Sequence, residues 1–377
     1  MKKFRFSIGA PAVAEVLIYD YEGSETLRRV LDPTTAYTVL DVRQGIYLFP
    51  SLFLKIIQLI WTYKHKPKYW AYARLRVLYE YALIQIVNPR VVISLSENNL
   101  RFGLLSRLYL NAEFIGIQNG YRQSEILETA RHNYLQNAYC FGDQVVDNYR
   151  VAGSGIKNYF VLGSLVDGLY RATKRNRENK EYDICLISQY RYNRFYKEIS
   201  ELKVITDLLL EYLQRYCMEN NRRFCIASNS KKNVFPKEKQ YYDARIHASD
   251  VDIVPNDRNN YSTYRTVDKS ELSICINSTA GIEALGRKQK ILFCNFSLNP
   301  FFDIQGKYRD GIWSLRDSTV TYESFSNRIS CLLEMEKAVW NHQVREFVEY
   351  FIFCNDQYLP QDILRRKINT ILGKNVT

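Results

Sequence analysis

The chain has 377 residues, 46% of them apolar and 24% charged, with 52 Lys and Arg against 40 Asp and Glu, for a formal charge of +12. These proportions are those of a globular protein and exclude a disordered or fibrous chain; 16 glycines and 9 prolines leave no long flexible linker. The length predicts two domains, and the positive balance favours polyanions such as phosphorylated substrates or anionic lipid, although no helix-turn-helix, zinc-finger or RNA-recognition signature is present.

The N-terminus MKKFRFSIGAPAVAEVLIYD opens with positive charges, but its apolar stretch is short and broken by Pro11 and Glu15. It predicts a strand and a turn, not a leader. EVLIYD (15–20) is the first buried strand. The run IYLFPSLFLKIIQLIWTY (46–63) contains Pro50, Lys55 and Gln58; a spanning helix needs about 20 nearly uninterrupted apolar residues. The first reading is a buried helix. The second is an interfacial helix, because KHKPKYWAYARLR follows at once, mixing Lys64, Lys66, Lys68, Arg74 and Arg76 with Tyr69, Trp70 and Tyr72.

Short apolar runs then alternate with helical patterns. RVVISLSE (90–97), FIGIQNG (114–120), AYCFGD (138–143) and NYFVLGS (158–164) read as strands; 51–63, 70–87, 100–110 and 143–152 read as helices. This alternation predicts a parallel sheet with crossover helices. RATKRNRENKEYD (171–183) is polar and marks a boundary. The pattern restarts with strand YDICLISQY (182–190) and an amphipathic helix over 195–219, with Ile205, Leu208, Leu209, Tyr212 and Leu213 at helical spacing. Strands RFCIASN (223–229), SICINST (273–279) and KILFCNF (290–296) follow. The tail (321–373) is helical, with Trp340, Val344, Phe347, Val348 and Phe351 on one face.

The predicted organisation is therefore an N-terminal acceptor-side domain over 1–170, a C-terminal donor domain over 171–340, and helices over 341–377 packing near the domain junction. Two Rossmann-like α/β domains facing a central cleft, closed by a helical C-terminal segment, outline the GT-B architecture. Of the eight cysteines, Cys185, Cys225, Cys275 and Cys294 lie inside apolar runs and none forms C-x-x-C. They read as buried thiols of a reducing compartment.

Four segments carry candidate chemistry. Asn277-Ser278-Thr279-Ala280-Gly281-Ile282-Glu283 follows an apolar strand and opens a helix, where free N–H groups and hydroxyls can hold a phosphate and Glu283 can accept from ribose or sugar hydroxyls. Ser188-Gln189-Tyr190-Arg191 ends the first strand of the second domain, with Arg191 able to pair with a phosphate. Tyr261, Ser262, Tyr264 and Arg265 combine rings that stack on a base with a phosphate-binding cation. In the first domain, Glu97 and Asn98 end one strand and Gln118, Asn119, Tyr121 and Arg122 end another, a set suited to a sugar acceptor. Glu97 is the acid/base candidate there, and His132 is a second candidate acid. Each segment also has a plain structural reading, as a capped core helix, an exposed loop or packing against the sheet.

The run YSTYRTVDKSELSICINSTAGIEALGRKQKILF, with SLSENN, IGIQNGYR and CFGD upstream, resembles a family of bacterial surface-polysaccharide proteins of O-antigen and capsule biosynthesis. The resemblance covers about residues 85–315. Members look like GT-B glycosyltransferases distantly related to β-Kdo transferases. The resemblance implies donor binding through Ser278, Thr279 and Glu283. The expected function is transfer of a sugar from a nucleotide-activated donor, a CMP-activated ulosonic acid such as Kdo or an NDP-sugar, to a growing bacterial surface glycan. The rival readings are a non-hydrolysing sugar-nucleotide epimerase and a non-catalytic sugar-nucleotide or glycan-binding subunit of a membrane-associated assembly complex. The expected partners are the nucleotide-sugar donor and a lipid-linked or oligosaccharide acceptor, without nucleic acid. The expected location is cytoplasmic, with peripheral inner-membrane contact through 46–76. No cofactor and no metal are expected. Asp250-Val251-Asp252 matches the metal-holding D-x-D but follows ARIHAS, a poor strand, and His65, His132, His247 and His342 are scattered without ligand spacing.

Overall fold

In the computed structural model, which describes residues 5–63, 75–122, 127–173, 179–191, 200–247, 251–304, 306 and 308–374, the apolar runs become strands of two separate parallel sheets. The first half runs β1 (Arg5–Ser7), β2 (Val16–Ile18), α1 (Ser24–Arg28), β3 (Tyr37–Val39), β4 (Gly45–Tyr47), α2 (Pro50–Tyr63), α3 (Leu75–Val87) and β5 (Val91–Ser94). It continues through α4 (Leu100–Leu108), β6 (Glu113–Ile117), α5 (Leu127–Ala130), β7 (Asn137–Cys140), α6 (Asp143–Val151), β8 (Asn158–Val161) and α7 (Leu165–Thr173). The second half runs β9 (Tyr182–Ile187), α8 (Glu201–Glu219), β10 (Phe224–Ala227), α9 (Phe235–Asp243), β11 (Asp252–Val254), α10 (Ser262–Asp268), β12 (Ser270–Cys275) and α11 (Thr279–Gly286). It closes with β13 (Lys290–Asn295), β14 (Ser314–Arg316), α12 (Tyr322–Glu334), α13 (Lys337–Phe351) and α14 (Pro360–Leu372).

By its internal contacts the chain divides into two units. One comprises Met1–Gly120, Ile126–Leu169 and Asn355–Thr377; the other comprises Tyr121–Glu125 and Tyr170–Cys354. The tail read as one segment over 341–377 is thus shared out: α13 belongs to the second unit and α14 to the first.

The first unit's main sheet has the order β3-β2-β5-β6-β7-β8, all parallel. A parallel sheet covered on both faces needs apolar residues at every position, and successive side chains go to opposite faces. Val16, Ile18, Val91, Ile93, Ile115 and Ile117 share one core with Leu364, Ile368 and Leu372 of α14. Leu17, Val92 and Phe114 share the other with Leu52 and Leu59 of α2, Ala82 of α3 and Leu105 of α4. Polar contacts pin α14 in place: Arg90 donates to the carbonyls of Leu372 at 2.8 Å and Ile371 at 2.6 Å, and Lys374 Nζ lies 2.7 Å from Glu15.

The second unit's sheet has the order β11-β10-β9-β12-β13-β14, again all parallel. Numbered from its own first strand this is 3-2-1-4-5-6, the Rossmann order, with its switch point between β9 and β12. Cys185, Cys225, Cys275 and Cys294 are buried free thiols on the four central strands. Trp340, Val344, Phe347 and Phe351 are buried along α13, and the Trp340 indole donates to the Gln289 carbonyl at 3.1 Å.

Several elements depart from the sequence expectation. The strands β3, β4, β11 and β14 are three residues long and partly polar, too short for alternation to mark them. The helix expected over 195–219 runs from Glu201, residues 192–199 lying outside the described residues. The reading of 51–63 as a buried helix is corrected. Leu52 and Leu59 are buried, whereas Phe53, Leu54, Ile57 and Trp61 are 53%, 68%, 63% and 69% exposed. No described helix is long and apolar enough to cross a membrane. Most of the basic segment after α2, residues 64–74, lies outside the described residues.

One ion-pair cluster gives the second unit a pH signature. Asp207 of α8 meets Lys203 Nζ at 2.6 Å and Arg245 Nε at 2.8 Å and accepts the Tyr241 hydroxyl. Burial pushes its carboxyl up, but the hydrogen bonds from Lys203 and Tyr241 and the nearby Arg245 charge outweigh it and hold the group below its ordinary value of 3.8. A depressed carboxyl stabilises the fold above its unfolded value, and that stability is lost as pH falls through the folded value. Asp207→Asn should therefore lower the denaturation midpoint at pH 7 and converge on the wild type as pH drops below about 4; a constant gap down to pH 2 would contradict the assignment.

Candidate functional site

The switch point of the second unit is built by two strand-end loops. Beyond β9, Gln189 reaches across to the end of β12. Its Oε1 accepts the backbone amides of Ile276 at 2.9 Å and Asn277 at 2.8 Å, and its Nε2 donates to Asn277 Oδ1 at 2.9 Å. Asn277 Nδ2 in turn donates to the Phe301 carbonyl at 2.9 Å. The Ile276–Asn277 turn is thereby fixed where the chain enters α11.

Ser278 is the N-cap of α11, its Oγ accepting the Ala280 amide at 3.3 Å. The Thr279 Oγ1 accepts the Tyr121 amide at 2.9 Å. Both hydroxyls act as acceptors in these bonds, so each keeps its own proton to donate. The backbone contribution is narrower than the sequence suggests. Gly281 and Ile282 already donate to the Ser278 carbonyl at 3.0 and 3.3 Å, and among the described residues only the Thr279 amide of this first turn has no partner. An anion here would meet one amide, two hydroxyl protons and the positive end of a helix dipole.

Behind the turn lies an aromatic and ionic support. Glu283 is only 3% exposed, and its Oε2 accepts the Tyr264 hydroxyl at 2.7 Å. The Tyr264 ring packs 5.2 Å from that of Tyr170, and the Arg287 guanidinium lies 5.0 Å from the Tyr264 ring and 5.2 Å from the Tyr170 ring. Arg287 pairs with Asp268 at 3.1 Å, both side chains enclosed, and Asp268 also accepts the Tyr170 hydroxyl at 2.9 Å. Tyr261, in the left-handed region at φ 52°, caps α10 and lies 5.7 Å from the Tyr170 ring.

A second network fixes the β9 and β10 loops. Glu238 of α9 is completely buried. Its Oε1 accepts the Ser188 hydroxyl and the Asn229 amide at 3.1 Å; its Oε2 accepts the Ser228 hydroxyl and the Ser230 amide at 2.8 Å. Ser188 also accepts the hydroxyl of Tyr242 at 2.8 Å, and burial beside Glu238 keeps that phenol protonated at any ordinary pH.

These placements correct parts of the sequence reading. Ser188 is enclosed and committed to Glu238, so its hydroxyl shapes the loop. Gly281 does not line a ligand surface: a Cβ there would lie 2.6 Å from Cys275 Sγ and 3.0 Å from the Phe293 ring, which makes it the close-packing glycine between helix and strand. The Ser262 hydroxyl donates to the Pro255 carbonyl at 2.8 Å and accepts the Asp257 amide at 2.7 Å, closing a turn. Arg191 and Arg265 are exposed. Asp252 sits in β11 and accepts the Tyr182 hydroxyl at 2.8 Å; Asp250 lies outside the described residues.

In the first unit the switch point falls between β2 and β5. Glu97 follows β5 but has no exposed surface, and its Oε1 accepts the Tyr149 hydroxyl at 3.1 Å while its carbonyl accepts Asn133 Nδ2 at 2.7 Å. As an acid/base it is corrected, because an enclosed carboxylate cannot meet an acceptor hydroxyl. Gln118 is also internal, accepting the Phe141 amide at 2.6 Å and donating to the Gly120 carbonyl at 2.8 Å. Asn98 accepts the Ser96 hydroxyl at 3.2 Å. Asn119 is exposed. Tyr121 and Arg122 count with the second unit, the Tyr121 ring stacked 6.2 Å from Phe351. His132 is exposed, and its Nε2 accepts the Nε–H of the neighbouring Arg131 at 3.1 Å.

Sequence reasoning missed a charged cluster at this switch point. Glu80, buried on α3, meets Arg76 Nε and Arg101 Nη1 at 3.1 Å each and accepts the Tyr19 hydroxyl. Beside it Asp20 pairs with Arg43; burial raises the Asp20 carboxyl and the Arg43 charge opposes the rise. Only Arg76, in the basic run after α2, drew notice in the sequence. The missed Glu238 and Arg287 left a fainter signal: one carboxylate in the first turn of FPKEKQYYD, and one arginine four residues after Glu283.

Two consecutive parallel α/β units and a helical C-terminal segment place the molecule in the GT-B-like class. Residues 115–313 match the model of a family described as "putative O-antigen biosynthesis protein", more than half of the chain, and the chain belongs to that family. Among solved structures it is similar to a "putative UDP-N-acetylglucosamine 2-epimerase" from Listeria monocytogenes, at 13% identity over 100% of this chain and 99% of that one, TM-score 0.55. It is similar to the UDP-GlcNAc 2-epimerase of Methanocaldococcus jannaschii at 13% identity over 95% and 91% of the two chains, TM-score 0.52. It is also similar to the wall teichoic acid polymerase TagF at 11% identity over 96% and 91%, TM-score 0.52. At these identities the likeness is one of fold. Comparison with curated proteins returns no significant match.

Proposed function

We propose that this protein is a glycosyltransferase of O-antigen synthesis, transferring a sugar from a nucleotide-activated donor to a growing surface glycan on the cytoplasmic side of the membrane. A CMP-activated ulosonic acid such as Kdo, or an NDP-sugar, would be the donor, and a lipid-linked or oligosaccharide glycan the acceptor. The observation that carries the reading is the second unit's switch point, where Ser278, Thr279 and the start of α11 offer donors to an anion beyond the carboxyl ends of a Rossmann-ordered sheet. Hydrogen-bond donors and a helix end stabilise a leaving phosphate without a cation, so the proposed reaction is metal-independent. Membership of an O-antigen biosynthesis family supports the glycan assignment.

The direct test is transfer and hydrolysis with a panel of CMP-, UDP-, GDP- and TDP-sugars, with and without EDTA. Transfer that survives EDTA is expected. Strict dependence on Mn²⁺ would overturn the metal-free reaction, and conversion of the donor to its epimer without acceptor would replace the transferase reading.

The Ser278→Ala, Thr279→Ala double variant addresses the phosphate site itself. It should stay folded and bind nucleotide about 1–3 kcal/mol more weakly, the range for lost hydrogen bonds to a charged group. Thr279→Ser keeps the hydroxyl that accepts the Tyr121 amide and should restore half or more of the loss. Unchanged affinity in the folded double variant, measured by calorimetry, would remove the donor site from this position.

A further inference from the structure

The strongest feature outside this chemistry lies on α2, within the stretch whose second sequence reading is an interfacial helix. Its fourteen residues divide into three stripes. At about 100° per residue, Leu52, Ile56 and Leu59 fall together on the side packed into the first unit's core. Ser51, Gln58 and Thr62 form an exposed polar stripe, with Lys55 at its edge. Phe53, Leu54, Ile57, Ile60 and Trp61 fall within an arc of about 120°, and every one of them is exposed. Scattered exposed apolar side chains are normal, but five large ones on a single helical stripe are not.

The apolar surface continues past the helix start. Leu48 is exposed, and its amide donates to the Ser7 carbonyl at 2.9 Å, which brings it beside exposed Phe6 and Ile8 of the β1 edge. The surrounding sequence has one sign of charge. From Gly45 to Tyr79 there is no Asp or Glu, while Lys55, Lys64, Lys66, Lys68 and Arg74 are present beside Arg76, whose charge is taken up by Glu80.

We propose that this face of α2 docks on an anionic lipid bilayer, with Phe53, Leu54, Ile57 and Trp61 in the headgroup–acyl boundary and α2 lying in the plane of the surface. A helix with a broad apolar stripe and cationic surroundings, too short to span, binds in this way. The positive stretch supplies the complementary charge, since basic side chains near an anionic leaflet add attraction that falls off within a Debye length. The same charge argues against a second copy as the occupant, because self-association would bring two carboxylate-free cationic stretches together. The inference is independent of the donor site and stands whether or not the protein is a transferase.

The test is vesicle flotation of the full chain. Vesicles of phosphatidylglycerol and phosphatidylethanolamine should carry at least ten times more protein than phosphatidylcholine vesicles, and the excess should shrink in high salt. The Leu54→Gln, Ile57→Gln, Trp61→Gln triple variant should lose at least tenfold of the bound fraction while keeping its circular dichroism. Lys55→Glu should weaken binding to the anionic vesicles alone. The proposal fails if the wild type stays with the soluble fraction, if the triple variant floats as the wild type does, or if light scattering shows a dimer that the triple variant turns into a monomer without any vesicle binding.

Discussion

Glu238→Ala should destabilise the second unit by about 3–5 kcal/mol, since each buried donor left without an acceptor costs on the order of 1–3 kcal/mol. The Glu238 carboxylate receives four donors: the hydroxyls of Ser188 and Ser228 and the amides of Asn229 and Ser230. A hydroxyl can turn to another acceptor, but the two amides are fixed by their loop, and alanine leaves the Asn229 amide facing a cavity and the Ser230 amide with only its 3.3 Å contact to Ser228 Oγ. Glu238→Gln keeps the volume but replaces one acceptor oxygen with an NH₂ group that confronts a donor, so it should fall between alanine and the wild type. Urea denaturation measures both. If the alanine variant unfolds at the wild-type urea concentration, the carboxylate does not organise these loops.

Arg287→Met is expected to cost a similar amount, about 3–5 kcal/mol, because removing one partner leaves the charge of Asp268 buried. Asp268 would retain the Tyr170 hydroxyl as its charge-stabilising contact from the aromatic cluster. The double variant Arg287→Met, Asp268→Asn should cost less than the sum of the single changes, since removing both charges abolishes the uncompensated one. Additive losses in the double-mutant cycle would mean that the two groups do not act as a pair. The effect should also reach Tyr264, which rests on the guanidinium and holds Glu283.

Much of the fold was legible because buried parallel strands write themselves plainly. VLI, VVIS, FCIA and KILFCN are short, mostly apolar and bounded by polar loops, and each is a strand of one of the two sheets. A strand that escaped, Ser314–Arg316, carries one leucine between a serine and an arginine and is held at a sheet edge by its neighbour's register. The site was legible to the level of the loop but not the atom. Strand-end position marks Gln189, Asn277, Ser278 and Thr279, and the Rossmann order brings the first two into contact. Burial does not show in a motif. Glu97, Ser188 and Gln118 have the chemistry of a sugar site and the same strand-end placement, yet their polar atoms are spent on Tyr149, Glu238 and Phe141. Glu238 and Arg287 were missed for the converse reason: charges within the polar runs KEKQ and RKQK look solvated until the tertiary structure closes over them.

The return of α14 to the first unit has a consequence for how the protein is made. Val16, Ile18, Val91 and Ile93 share their core with Leu364, Ile368 and Leu372, which leave the ribosome some 270 residues or more after Ile93. The second unit, nearly continuous from Tyr170 to Cys354, is complete in the nascent chain before that cover arrives. An N-terminal fragment ending at Leu169 would present this apolar sheet face to water, so the natural cut between the units does not yield two self-sufficient pieces.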